Sequence, residues 1–341
     1  SMKQSFLEKF SKAHLPPTQF TRFEYEPEKC THCKACVDTC PTSCLQWDEE
    51  KKEPYATGLG GMDLACIACN NCEAVCPGDC IRMRGAYRVL GGRYKTPEDK
   101  FGEMAFPQPF GQTDANRSFE EITKDLTETE KLLYERRSIR LYKNKPVPRE
   151  ILLRLVEAAR FAPSAGNGQP VKFLIVTDPE VNREVDKRIS RIVGITKNLY
   201  LGQSRWKKIL FTILSAISIN KWDQRPIAAM EKIIQSNDTI TFGAPAVVHV
   251  LKDKRGISHP DVCTSIAAQN FVLAAHALGL GTCYIGFIAS MIPYVPKVKK
   301  LLGIEYPYEI VTTICVGYPK MNYNRPVARG PVPVEWIEQN T

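Results

Sequence analysis

The chain has 341 residues, a length typical of two domains. Hydrophobic residues make up 43% of it and charged residues 24%, so a core can form and the composition excludes an intrinsically disordered chain. No apolar run reaches the roughly 18 residues of a membrane span, because polar side chains interrupt the longest one, 209–219. The first ten residues contain no apolar signal core, so we expect a cytoplasmic protein. The net charge of +9 comes without a basic stripe or a nucleic-acid motif.

Composition divides the chain into four stretches. Residues 1–23 are an N-terminal extension, 24–84 are rich in cysteine, 85–126 read as a linker because of their prolines and glycines, and 127–341 resemble an ordinary α+β domain. Ten of the thirteen cysteines lie in the second stretch. Disulfide frameworks are typical of small secreted domains, whereas cysteines bunched at one end of a long chain indicate a metal centre.

Apolar periodicity predicts alternating helices and strands in the last stretch. The predicted helices are 127–138, 148–162 and 263–281, the last of them apolar on most sides and ending at Gly279. The predicted strands are 171–177, 244–253 and 309–319.

The cysteine-rich stretch contains an internal repeat with an offset of 36 residues. The pattern C-x2-C-x2-C-x3-C-P occurs at 30–41 and again at 66–77, and each copy is followed by one more cysteine, Cys44 or Cys80. A repeat this regular predicts two similar half-units related by a pseudo-twofold axis. Three thiolates spaced in this way can wrap one face of an iron–sulfur cube. Structural zinc is the alternative, but zinc sites usually use cysteine or histidine pairs separated by a longer loop.

This stretch resembles the bacterial two-cluster ferredoxins, in which the fourth cysteine of each motif binds the other cluster. The resemblance implies two 4Fe–4S clusters. The ligands of one would be Cys30, Cys33, Cys36 and Cys76. The ligands of the other would be Cys66, Cys69, Cys72 and Cys40. Cys44 and Cys80 exceed the eight required ligands, and we expect them to be small buried residues beside the clusters.

Two further segments carry polar groups in patterns that suit a phosphorylated ring compound. Residues 136–140 read RRSIR, and arginine forks match phosphate oxygens, although cations near a helix C-terminus can also simply complement the helix dipole. On a helix end, Arg136 and Arg140 would share one face. Residues 162–170 read APSAGNGQP, a turn whose polar side chains could meet the edge of a ring or simply face solvent.

Together, these two segments resemble the signatures of the nitroreductase family of FMN enzymes. The segments 273–287 (LAAHALGLGTCYIGF) and 316–326 (VGYPKMNYNRP) add to the resemblance, which covers about 127–341. It implies an α+β fold with a central mixed sheet, surrounding helices and a homodimer with two flavins at the interface. The ferredoxin-like region would precede that fold as a small separate domain.

The nitroreductase resemblance also implies individual roles. The FMN phosphate and ribityl groups would be held by Arg136, Arg137, Ser138 and Arg140, with Arg325 also reaching the phosphate. The flavin ring would be contacted, often from the opposite subunit, by Pro163, Ser164 and Ala165. The flavin heteroatoms would bond to Asn167 and Gln169. The loop over the ring near N5 would be formed by Tyr284, Ile285 and Gly286.

The sequence departs from simple nitroreductases at two places. Ile285 stands where many of them carry glutamate, and 200–237 form a long insertion where the family places a variable lid. The insertion is expected to be a lid or dimer-contact helix, with a membrane-surface role as the alternative. No nucleophile–base pattern is present, so we predict no catalytic side chain and assign the chemistry to the cofactors.

The two halves together predict an iron–sulfur flavoprotein oxidoreductase. A ferredoxin or another low-potential donor would supply electrons through the clusters to FMN, which would reduce a small organic acceptor such as a nitroaromatic or a quinone. NAD(P)H is the alternative donor. A non-catalytic electron relay or redox sensor for a partner complex is the alternative function, and flavin-consuming chemistry is a third. Two clusters and one flavin phosphate would lower the net charge to about +3.

Overall fold

The computed structural model describes residues 18–19, 22–57, 66–84, 88–89, 105–111, 117–200, 233, 240–330, 332 and 334–338. Most of the predicted insertion at 200–237, and most of the N-terminal extension, lie outside the described residues. Within the part of the chain that is described, no helix is both long and apolar enough to cross a membrane.

The chain forms two compact units. One comprises 1–124, 196–231 and 324–341, and the other comprises 125–195 and 232–323. The break between 124 and 125 lies two residues before the predicted start of the second domain. The segment 324–341 is grouped with the first unit, whereas the sequence assigns it to the second domain, and the predicted domain bounds stay a prediction.

Backbone hydrogen bonds explain where the C-terminal segment lies. The N–H of Asn324 donates to the carbonyl of Ala74 over 3.0 Å, and Ala105 and Arg329 pair their backbones at 2.8 and 2.9 Å. No local sequence pattern predicts these contacts, because each joins residues more than two hundred positions apart.

The first unit is built from short elements. Its strands are β1 (Thr18–Gln19), β2 (Arg22–Tyr25), β3 (Leu45–Asp48), β4 (Glu53–Ala56), β5 (Ile81–Arg84) and β6 (Arg88–Val89). Its helices are α1 (Ala35–Asp38), α2 (Asn71–Val75) and α3 (Phe119–Thr123). Strand β2 pairs with β5, and β3 pairs with β4, both antiparallel. Elements α2 and β5 follow α1 and β3 at the predicted offset, so the repeat of the sequence is also a repeat of the structure.

The second unit contains the longer elements. Its helices are α4 (Glu128–Glu135), α5 (Arg149–Arg160), α6 (Pro179–Tyr200), α7 (Pro260–Ala277), α8 (Gly286–Met291) and α9 (Pro296–Leu301). Its strands are β7 (Val171–Val176), β8 (Ala246–Asp253), β9 (Gly281–Tyr284) and β10 (Tyr308–Gly317). The three predicted strands are present as β7, β8 and β10, whereas β9, α6, α8 and α9 were not predicted.

A four-stranded sheet of order β7–β8–β10–β9 forms the centre of the second unit. The neighbouring strands are antiparallel. A parallel bridge between Ser138 and Thr282 at the β9 edge gives the sheet its mixed character. Helices α5 and α7 cover the sheet, and the core between them includes Leu155, Phe271 and Val272.

Helix α7 is less buried than its apolar sequence predicts, because only seven of its 18 residues are buried and Val262 and Ile266 are exposed. Phe271, Val272 and Ala275 are fully buried, and Pro260 stands at the first helical position, where a missing N–H costs nothing. The helix ends before Gly279, whose φ of +75° is a left-handed conformation that favours glycine.

Gly281 provides a first test of the packing. A Cβ atom at this position would lie 2.7 Å from the Cγ2 atom of Ile139. We expect Gly281→Ala to lower the free energy of unfolding of the second unit by about 1–3 kcal/mol, because the segment around Ile139 must move. Denaturant unfolding measures this loss. Gly194→Ala in α6 is the matched control, since nothing lies within 4 Å of its added Cβ, and an equal loss in both variants would contradict the packing.

His249 provides a test against pH. It is buried in β8, with its Nδ1 atom 2.9 Å from the Thr313 hydroxyl, and burial lowers its pKa from an ordinary value of about 6.5 to about 4. The unfolded state therefore binds an extra proton between these values, and the stability present above pH 6.5 is lost as pH falls towards 4. The full loss is about 3 kcal/mol. We expect His249→Gln to flatten this part of the stability–pH curve, while the exposed control His259→Gln keeps the wild-type slope. An unchanged slope in His249→Gln would contradict the assignment.

Candidate functional site

The two cysteine loops share an unusual backbone. Non-glycine residues with φ between 52° and 59° occur at equivalent positions of both loops: His32, Lys34 and Ser43 in the first, and Ala68, Asn70 and Asp79 in the second. Left-handed turns of this kind point successive N–H groups at a common centre. The N–H groups of His32 and Ala68 each lie 3.4 Å from the sulfur two residues before them. The loops are thus shaped to stabilise thiolates.

The fourth cysteine of each motif faces the triplet of the other motif. Burial raises the pKa of Cys36 to about 12, and the negative charges of Cys76 and Cys33 add to this effect. Burial also raises the pKa of Cys72, whose other charged neighbours are Cys69, Cys66 and Cys40. Cys76 therefore lies near Cys33 and Cys36, and Cys40 lies near Cys66, Cys69 and Cys72. The complete crossed sets stay a prediction.

The two extra cysteines are buried, as expected, but they also touch the predicted ligands. The sulfurs of Cys40 and Cys44 lie 3.4 Å apart, and those of Cys76 and Cys80 lie 3.3 Å apart. The hydrogen bond from Cys44 lowers the pKa of Cys40 to about 5, and the same contact raises the pKa of Cys44. Each extra thiol therefore lies in direct contact with a predicted cluster ligand.

Cysteine thiolates are ligands of both zinc and iron–sulfur clusters. All ten cysteines of this region are among the described residues, and within that part of the chain no three His, Cys, Asp or Glu side chains converge to hold one metal ion. A tetrahedral zinc site would need sulfurs about 3.8 Å apart, because its Zn–S bonds measure about 2.3 Å. Four cysteine thiolates are the ligand set of a 4Fe–4S cluster, so the chemistry of the donor set present here fits that group.

A charged network that sequence reasoning missed lies beside α2. Arg325 forms an ion pair with Asp79 at 2.7 Å and donates to the carbonyl of Glu73 over 2.9 Å. Arg82 binds the same Asp79 carboxylate through two 2.6 Å contacts. Glu73 is itself buried, and burial raises its pKa. The structure thus places Arg325 against the helix that carries Cys72, while its predicted role at the FMN phosphate stays a prediction.

The segment RRSIR is extended, not helical. Helix α4 ends at Glu135, and the N–H of Ile139 donates to the carbonyl of Thr282 over 2.8 Å beside β9. The expectation that Arg136 and Arg140 share a helix face is therefore wrong, because pairing with β9 supplies the backbone hydrogen bonds that a helix would otherwise provide. Alternation along an extended chain still places these two arginines on one side.

The RRSIR segment creates a positive field near the end of α7. Arg137 is 6% exposed, its Nε donates to the Glu135 carbonyl over 3.2 Å, and its guanidinium lies 4.8 Å from the ring centre of Tyr323. Burial lowers the pKa of His276, and the positive charges of Arg137 and Arg136 lower it further. Such a field favours an anionic ligand, and the phosphate role of this segment stays a prediction.

The predicted loop near the flavin ring follows β9. Tyr284 is partly exposed, and its hydroxyl donates to the Oε1 atom of Gln269 over 3.3 Å. Burial raises the pKa of Tyr284 to about 12, although the charge of Arg136 opposes this rise. Ile285 is buried, and its N–H donates to the Thr313 carbonyl over 2.7 Å. The structure therefore brings Tyr284 close to Arg136 and to Gln269 in the middle of α7.

The turn APSAGNGQP is exposed and internally bonded. The Ser164 hydroxyl accepts from the N–H of Gln169 over 3.0 Å, and the Gln169 side chain donates to Asn167 over 3.1 Å. Left-handed φ values at Gly166, Asn167 and Gln169 shape the turn. Its last residue, Pro170, accepts from the Thr264 hydroxyl over 3.3 Å.

The two predicted flavin segments contact α7 at different positions. The turn is anchored at Thr264 in the first half of α7, whereas the arginines of RRSIR lie near His276. These two helix positions are about 18 Å apart along the axis, at 1.5 Å per residue.

Family comparisons follow the division into two units. A family model described as the nitroreductase family matches residues 133–318, and one described as a 4Fe-4S dicluster domain matches 29–80. The first match spans more than half of the chain. The chain therefore belongs to the nitroreductase family, as an FMN-dependent oxidoreductase with an N-terminal 4Fe-4S dicluster domain.

Individual relatives resemble the C-terminal part of the chain. The FMN reductase (NAD(P)H) of Bacillus subtilis is 28% identical over 194 residues, which cover 57% of this chain and 67% of that protein. Iodotyrosine deiodinase 1 of Homo sapiens is 26% identical over 208 residues, which cover 58% of this chain and 64% of that protein. A solved structure of a nitroreductase with bound FMN from Desulfitobacterium hafniense has a TM-score of 0.46 at 23% identity, covering 62% of this chain and 100% of that one.

Proposed function

We propose that the chain passes electrons from a low-potential donor through two 4Fe–4S clusters to FMN, which reduces a small organic acceptor. The observation that carries the proposal is a 4Fe-4S dicluster domain in a chain of the nitroreductase family, with Cys76 near Cys36 and Cys40 near Cys72. When bound, the clusters supply single electrons and the flavin supplies two-electron chemistry.

The proposed cluster ligands are the two crossed sets. One cluster takes Cys30, Cys33, Cys36 and Cys76. The other takes Cys66, Cys69, Cys72 and Cys40. Three features support this assignment: the mutual influence of the thiols within each set, the N–H groups that point at Cys30 and Cys66, and the equivalent backbone of both loops. Each feature occurs twice, at the 36-residue offset.

The proposed FMN site combines three segments. The phosphate and ribityl groups are held by Arg136, Arg137, Ser138 and Arg140, with Arg325 retained as a proposed phosphate contact. The ring is contacted by Pro163, Ser164 and Ala165, and its heteroatoms by Asn167 and Gln169. The loop beside N5 consists of Tyr284, Ile285 and Gly286. The positive field of RRSIR and the exposed polar groups of the turn support these roles.

A homodimer completes this site. Because the two segments are anchored about 18 Å apart along α7, we infer that RRSIR of one subunit and the turn of its partner hold the same flavin. The exposed side chains of Val262 and Ile266 on the first half of α7 suit burial against a second copy.

Mixed dimers test the shared site. We expect Arg137→Ala and the double variant Asn167→Ala/Gln169→Ala each to lose most FMN as homodimers. Differently tagged subunits, coexpressed and purified as the mixed dimer, should recover about half of the wild-type FMN, because one of the two sites is then intact. The exposed Arg160→Ala, on α5, is the control and should keep its FMN. A mixed dimer that recovers no FMN would contradict the shared site.

The acceptor is a small planar compound in this proposal, such as a nitroaromatic or a quinone. The loop beside the ring offers the partly exposed Tyr284 and the buried, apolar Ile285. Because no carboxylate stands at position 285, protons come from water or from the acceptor.

Electron donors distinguish this function from an NAD(P)H-dependent one. Under anaerobic conditions, a reduced low-potential ferredoxin should reduce the flavin and drive consumption of a nitroaromatic or a quinone. We expect Cys33→Ala, a change at an exposed proposed ligand, to lower this rate by about tenfold or more, because it removes a cluster ligand. Cys263→Ala in α7 is the matched thiol control. Rapid flavin reduction by NADH in protein stripped of its clusters would contradict the proposed path.

A further inference from the structure

Cys44 and Cys80 occupy equivalent positions that the eight ligands leave unexplained. Each follows the fourth cysteine of its motif by four residues and lies 3.3–3.4 Å from that sulfur. Both are nearly fully buried, at 7% and 3% exposure. The sulfur–sulfur distances are short enough for an S–H···S hydrogen bond.

The backbone fixes both residues in the same way. Left-handed turns at Ser43 and Asp79 bring the chain back towards the preceding motif cysteine. The carbonyl of Cys44 then accepts the N–H of Thr57 over 2.7 Å, and the carbonyl of Cys80 accepts the N–H of Glu26 over 2.9 Å. Each thiol is therefore held in place both by a turn of its own loop and by a hydrogen bond from a second segment.

Each extra thiol also reaches a second proposed ligand. Cys44 contacts Cys66 in addition to Cys40, and Cys80 contacts Cys30 in addition to Cys76. Cys44 thus touches two ligands of one proposed cluster, and Cys80 touches two ligands of the other. The contacts follow the crossed sets, so each extra thiol serves one cluster.

The direction of these hydrogen bonds follows from the chemistry of cysteine. A cysteine bound to iron is a thiolate, which accepts hydrogen bonds but has no proton to donate. The extra thiol keeps its proton and is the donor. Hydrogen bonds to cluster sulfurs raise the reduction potential, because they stabilise the more negative reduced state.

We propose that Cys44 and Cys80 are positioning and tuning residues that donate S–H hydrogen bonds to ligand thiolates and raise the reduction potential of one cluster each. This inference rests on the proposed cluster assignment. It adds a symmetrical pair of donors that keeps the two clusters of one chain at related potentials.

Alanine and serine variants separate hydrogen bonding from packing. Both remove similar volume, but serine keeps a donor and alanine does not. Each variant is reconstituted anaerobically, its iron and sulfide are measured, and its potentials are determined by a titration followed by electron paramagnetic resonance.

Cys44→Ala should lower one potential, and Cys80→Ala the other, by about 59 mV, which corresponds to a tenfold change in the ratio of oxidised to reduced cluster. The serine variants should stay closer to the wild type. Cys315→Ala, a buried thiol in β10 of the second unit, should shift neither potential.

The possible outcomes are distinct. Equal shifts in the alanine and serine variants, or no shift in either while the iron is retained, would overturn the inference. A wild-type protein that takes up no iron and sulfide would instead overturn the proposed function. If Cys44→Ala loses its cluster, Cys44→Ser decides, because a cluster retained there with a near wild-type potential supports the donor role and a shifted potential opposes it.

Discussion

The arrangement of the first unit depends on six residues held in the left-handed conformation. For residues other than glycine this conformation costs roughly 1–2 kcal/mol each, so a fold that keeps six of them must recover that energy. The N–H groups that these turns point at Cys30 and Cys66 recover part of it, and bound clusters would recover more. The same turns bring Cys40 and Cys76 to the opposite triplets and place Cys44 and Cys80 beside them.

The second unit is organised by α7 in a different way. This helix is buried by the sheet and α5, so it holds rigidly both the β9 edge that positions RRSIR and the start of β7 that follows the turn. In the proposed assembly, one chain supplies all ligands of the iron–sulfur clusters, whereas the flavin site combines segments of two chains.

Sequence reasoning succeeded where the determining contacts are local. The helix stop at Gly279 is set by residues a few positions apart, and it is confirmed in the structure. The 36-residue repeat of the cysteine motif likewise recurs in the backbone of both loops. The prediction that Arg136 and Arg140 share a helix face was wrong, because the extended form of RRSIR depends on Thr282, far along the chain. The position of Arg325 on Asp79 could not be predicted for the same reason, since its partners lie about 250 residues away.

The crossed pairing of cysteines is the central claim, and thiol protection tests it most directly. In the reconstituted variant Cys40→Ala/Cys44→Ala, iodoacetamide labelling followed by mass spectrometry reports which triplet has lost its metal. The account predicts labelling of Cys66, Cys69 and Cys72. It predicts protection of Cys30, Cys33 and Cys36. The reverse pattern would show that each motif binds its own cluster and would contradict the account.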